Sequence, residues 1–122
     1  MTRREALQRI GTDCMRNGLY EDVWVDALFN HINKLNKLDP GAWHIITDVR
    51  FHNEVLAIEL KDFPVFRVIR PDNPTPATNH ISEIAIDDYF LDVIRNDGTE
   101  EDLRNKVYEL VDLLMINFEN KP

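Results

Sequence analysis

The sequence predicts a three-layer α/β fold, a mainly parallel sheet flanked by helices, and three features carry that expectation. Short apolar runs rich in β-branched and aromatic residues, "AWHIITD" at 42–48, "FPVFRVIR" at 63–70 and "DYFLDVI" at 88–94, read as strands. Around them lie stretches whose apolar residues recur at helical spacing. Turn-forming clusters separate the two kinds of segment. Strands that alternate with helices build parallel sheets covered on both faces.

The elements follow in order. Thr2 and Glu5 have capping-box spacing, so a helix is expected to begin there, with Leu7, Ile10 and Cys14 on one face. The pattern breaks at "NGLYED" and restarts as a second helical stripe of Trp24, Leu28, Ile32 and Leu35. Asp39-Pro40-Gly41 supplies turn chemistry before the first strand. Phe51, Val55 and Ile58 mark a third helix. "PDNPTPATN" holds three of the chain's six prolines and reads as an irregular loop. "RNDG" closes the third strand, and Thr99 caps a last helix whose expected buried face is Leu103, Val107, Leu110, Val111, Leu114 and Phe118.

At 122 residues the chain is expected to form one domain, 1–122, with a modest core. No apolar run approaches the roughly 20 residues of a membrane helix, so no membrane partner is expected. The single cysteine, Cys14, excludes an internal disulfide and a thiolate zinc site and fits a reducing cytoplasm. Fourteen basic against 22 acidic side chains give a net charge of −8, which opposes nonspecific nucleic-acid binding. A small anion is different, because a few well-placed arginines suffice to hold it.

In parallel sheets ligands bind beyond the carboxyl ends of the strands, which singles out "TDVR". Asp48 there is placed to hold Mg²⁺ or to orient an oxygen, and Arg50 to grip a phosphate. The plain alternative is that both cap the next helix and make a surface ion pair. Arg70 ends the second strand and is a further phosphate candidate, whereas Arg67 reads better as a snorkelling edge residue. His80, Ser82 and Glu83 follow the proline-rich loop, where a Ser-capped helix start is the better explanation on the residues alone. Arg16 and Trp24 would suit a phosphate and a base, although a Trp at helical spacing is more often core. The histidines share no metal-ligand spacing. Nor does any glycine fit the G-x-x-x-x-G-K-[ST] phosphate loop.

With these residues in view, the chain resembles the deoxynucleoside monophosphate kinases of phages, P-loop kinases related to phosphomevalonate kinase. The runs that carry the resemblance are "REALQRIGTD", "EDVWVDAL", "ITDVRFHNEV", "FRVIRP", "HISE" and "NDGTEEDL", in family order over nearly all of 3–110. The combination of "GTD", Arg16 and "EDVWV" followed by "TDVRFHNE" is the specific part. The resemblance implies that Asp48 and Arg50 lie at the phosphoryl-transfer centre and that Arg16 and Trp24 lie near the acceptor nucleotide. It implies a lid segment at about 70–84, opened by Arg70 and closed by His80, Ser82 and Glu83. Substrates would be a nucleoside monophosphate and ATP with Mg²⁺, in a phage-infected host's cytoplasm.

One departure is large. Family members carry a strand, a Walker A loop and a helix ahead of the matching runs, and no such segment is present in this sequence. The implied fold is therefore a truncated P-loop-kinase fold. Its missing central strand would be replaced by re-pairing of the strands ending at Asp48 and Arg70, by a P-loop-bearing partner chain or by a homo-oligomer. The functional expectation divides accordingly. The chain is a monophosphate kinase, alone or completed by a partner, or it is an inactive nucleotide- or protein-binding module derived from one.

Overall fold

A computed structural model describes residues 1–71 and 92–120 and shows an α/β fold of helices with a small parallel sheet. The described residues divide into two compact units, 1–64 and 65–71 with 92–120. The loop at 71–79, the lid residues His80, Ser82 and Glu83, and the start of the third expected strand fall largely at 72–91, outside the described residues.

The first unit is helical. Helix α1 spans Arg3–Gln8, and the Thr2–Glu5 capping box forms as the sequence predicts. The Thr2 hydroxyl accepts from the Glu5 amide at 3.1 Å, and the Glu5 carboxylate accepts from the Thr2 amide at 2.6 Å. The chain then continues as a π-helix over Arg9–Arg16. Such runs are rare and often sit at functional sites. Gly18 lets the chain leave this helix tightly, since a methyl group there would meet the Cys14 carbonyl oxygen at 2.5 Å.

Helix α2 runs over Val23–Leu38. Its preceding Asp22 does not cap it, because that carboxylate accepts from the Asn53 side chain at 2.7 Å instead. Helix α3 spans His52–Glu59. Phe51, Val55 and Ile58 are buried as expected, and Val55 is wholly enclosed. Together with buried Val25 of α2 they are the buried apolar residues among those described in this unit. The expected stripe on α2 needs adjustment: Val25 is its most buried residue, while Trp24 is 42% exposed. Cys14 is exposed rather than turned toward an apolar stripe.

Residues 42–50 correct the first expected strand: they form neither strand nor helix. Half-buried Ala42, His44 and Ile46 alternate with exposed Trp43, Ile45 and Thr47. That period of two belongs to an extended chain with one covered face. Apolar, β-branched residues favour extension, but a strand also needs a neighbour at hydrogen-bonding distance.

The second unit contains the sheet. Strand β1, Phe66–Ile69, pairs in parallel with β2, Asp92–Arg95, with Phe66 opposite Asp92 and Ile69 opposite Arg95. Strand β1 lies inside the expected segment 63–70, and β2 overlaps the expected segment 88–94 and ends one residue past it. The parallel pairing is as predicted, on a sheet of two strands among the described residues.

Helix α4, Glu100–Glu119, is capped by Thr99, whose hydroxyl accepts from the Asp102 amide at 3.1 Å. Its expected buried face is corrected: none of its residues is buried, and Val107 and Phe118 are 39% and 44% exposed. A helix of 20 residues is about 30 Å long, far more than two four-residue strands can cover. No described helix is long and apolar enough to cross a membrane.

Two carboxylates around this cap are more acidic than usual. The Lys106 ammonium donates to Asp97 at 2.8 Å and lowers its pKa; the Thr99 hydroxyl lowers that of Asp102. Both groups therefore favour the folded state above the unfolded carboxylate pKa of about 3.9. That contribution is lost as pH falls through the lower folded values. Thr99→Ala is expected to destabilise α4 by about 1 kcal/mol. It should also flatten the acid limb of the melting temperature measured by circular dichroism.

Candidate functional site

The first unit carries an open cavity of about 970 Å³, lined by α1, the π-helix, α2, residues 46–54 and Ile58 of α3. This volume suits a small-molecule ligand. Asp48 and Arg50 both line it, as does Trp24. The acid and the guanidinium of "TDVR" are thus found on one concavity.

Two local devices shape the Asp48–Arg50 rim. The first is Glu54, in the opening turn of α3. Its Oε2 accepts from the Arg50 amide at 2.7 Å and from the Phe51 amide at 3.1 Å. One carboxylate oxygen thereby satisfies two amides at the helix start that have no partner within the helix. The second is Phe51, buried at the helix boundary, which anchors the chain directly after Arg50.

Trp24 also lines the cavity and is held in place by the π-helix. Its indole Nε1 donates to the Gly11 carbonyl at 2.9 Å, so the ring lies against the π-helix with part of its surface open. Gly11 also lines the cavity, and a methyl group added there would meet nothing within 4 Å. No glycine here has positive φ. Neither packing nor backbone geometry therefore explains a residue that costs a helix about 1 kcal/mol relative to alanine. What its missing side chain leaves is open space beside the indole.

The cavity also contains residues that pattern reading passed over. Arg3 and Arg4, in the first turn of α1, line it together with Arg50. In the sequence they look like an N-terminal basic pair preceding an amphipathic helix. Only the fold of α1 against residues 46–54 brings them to the cavity. Three arginines thus share one concavity with the carboxylates Asp48 and Glu54, in a chain whose net charge is −8.

Arg16 is placed differently. It does not line the cavity and is only 8% exposed. Its guanidinium lies 3.8 Å above the centre of the Phe51 ring. Nη2 donates to the Asn53 side-chain oxygen and to Glu21 Oε1, the latter at 3.2 Å. Arg70 follows β1 in the second unit. His80, Ser82 and Glu83 lie outside the described residues.

The family model for deoxynucleotide monophosphate kinase matches residues 1–107. The chain belongs to the deoxynucleotide monophosphate kinase family. The match takes in every residue of the cavity and extends through both strands into α4. No curated protein and no solved structure matches the chain. For this family member the cavity of residues 1–64 is the candidate site.

Glu54→Ala removes the acceptor of two amides and is expected to destabilise the protein by about 1–2 kcal/mol. Gly11→Ala should leave stability unchanged or raise it by up to about 1 kcal/mol. Chemical denaturation of both variants checks this contrast.

Proposed function

We propose that the chain is a deoxynucleoside monophosphate kinase-like protein whose cavity holds the acceptor nucleotide for phosphoryl transfer from ATP. The observation that carries this reading is the convergence of Asp48, Arg50 and Trp24 on one cavity, with Arg3 and Arg4 beside them. Trp24 offers a flat ring for the base, and the arginines offer charge for the phosphate.

In this reading an oxygen of the bound monophosphate attacks the γ-phosphorus of ATP. The new P–O bond forms as the bond to the bridging oxygen breaks, and ADP leaves with that electron pair. Arg50 offsets charge on the transferring group, and the cavity walls hold the acceptor in line. Mg²⁺ suits the donor set. Glu54 has one oxygen committed to two amides, which leaves Asp48 as the carboxylate to hold the ion. Among the described residues no group of three or more acidic, His or Cys side chains could form an all-protein cage. Mg²⁺ typically takes one or two carboxylates, waters and substrate phosphates. When bound, the ion would neutralise charge on the phosphates.

On the family motif alone, Arg70, His80, Ser82 and Glu83 are retained as lid residues that bind substrate, and the complete fold as the three-layer P-loop-kinase arrangement. The setting is a reducing cytoplasm, without nucleic-acid or membrane partners. The sequence contains no Walker A loop, the usual cradle for the phosphates of ATP. The reading has two further variants. A P-loop-bearing partner chain or a homo-oligomer completes the donor site, or the chain binds nucleotide without transferring phosphate.

Incubating the protein with ATP, Mg²⁺ and each deoxynucleoside monophosphate, with diphosphate as the readout, separates these variants. Calorimetry is expected to detect monophosphate binding, weakened about tenfold or more in Arg50→Ala. Turnover reduced at least about 100-fold in Arg50→Ala would mark a kinase active unaided. Binding without turnover would mark the binding module or the need for a partner. Absence of both overturns the proposal.

A further inference from the structure

Resting on that reading, we infer that Arg16 is a positioning residue of the phosphate rim rather than a ligand contact. It acts through the first turn of α3 to hold the Asp48–Arg50 segment. Its guanidinium stands where three element ends meet: the last residue of the π-helix, the residues preceding α2 and the start of α3. Four residues from these segments surround it. Phe51 stacks on the plane at 3.8 Å, Glu21 and Asn53 accept from Nη2, and Nη1 points to Glu54 Oε1 at 3.9 Å.

These partners are tied in turn to the rim. The other oxygen of Glu54 holds the amides of Arg50 and Phe51. The Asn53 amide nitrogen donates to Asp22 at 2.7 Å, which links the same turn to the start of α2. Arg16 therefore fixes Glu54 from behind by charge, and Glu54 fixes the backbone that presents Arg50 to the cavity. Nη1 is buried and makes no hydrogen bond, which leaves the Glu54 carboxylate as its electrostatic partner. A guanidinium is needed for this arrangement. An ammonium is a compact point charge that can neither stack on Phe51 nor reach acceptors on two edges at once.

The experiment is amide hydrogen exchange by NMR on the ligand-free protein, followed by calorimetry with deoxynucleoside monophosphates, for wild type and Arg16→Lys. Exchange at the Arg50 and Phe51 amides is expected to accelerate at least about tenfold relative to amides of α4, with a matching loss of monophosphate affinity. Asn53→Ala, which removes one acceptor and lies outside the cavity lining, should give the same sign with smaller size and serves if Arg16→Lys does not fold. Unchanged exchange at 50 and 51 overturns the positioning role, whether or not monophosphate binds. Accelerated exchange in a protein whose wild type binds no monophosphate supports the clasp and overturns the functional reading instead. Lost affinity with unchanged exchange marks Arg16 as a direct ligand contact.

Discussion

A charged guanidinium placed under the protein surface must be given partners, and that requirement organises the first unit. Arg16 is more than nine-tenths buried. Leaving such a group without acceptors would be strongly unfavourable. Its occupants come from residues far apart in sequence, Glu21 on one side and Phe51, Asn53 and Glu54 on the other. The π-helix, the start of α2 and the start of α3 are thus drawn to one point. Phe51 and Glu54 belong both to this junction and to the cavity lining.

The cavity is a case where local charge and bulk charge point in opposite directions. The chain is acidic overall, yet Arg3, Arg4 and Arg50 share one concavity. Focusing of a field within a cleft depends on the groups that line it, so a negative total does not prevent anion binding there. Gly11 and Trp24 add shape to this charge. The indole is pinned by the Gly11 carbonyl, and the missing side chain keeps the neighbouring volume open. The π-helix that carries Gly11 also ends in Arg16, so one irregular element contributes both to the cavity wall and to the clasp behind it.

The second unit has a different balance. Its two short parallel strands offer little surface, while α4 exposes Tyr108, Leu113 and Ile116 besides its half-buried residues. Local interactions hold its start firmly. Thr99 caps the helix, and Lys106 donates both to Asp97 and to the Arg95 carbonyl, which ties the end of β2 to the second turn of α4. This helix is thus specified by its cap more than by burial. The family match ends at residue 107 and so takes in the cap and the first turns of this helix.

What the sequence by itself determined was local. The Thr2 and Thr99 caps, the core positions Phe51, Val55 and Ile58, the strands around Arg67 and Val93, and the "TDVR" pair all follow from neighbours a few residues apart. The tertiary structure decided the rest. Residues 42–50 have strand-like composition but form no ladder, because pairing depends on a second segment. Arg3, Arg4 and Gly11 became cavity residues, and Arg16 became a buried anchor, through contacts more than 30 residues away in sequence for Arg16 and Asn53. Periodicity and capping report which face of an element is apolar and where it begins. They carry no information about which distant side chain will arrive opposite, and that meeting is what separates a wall of the cavity from the support behind it.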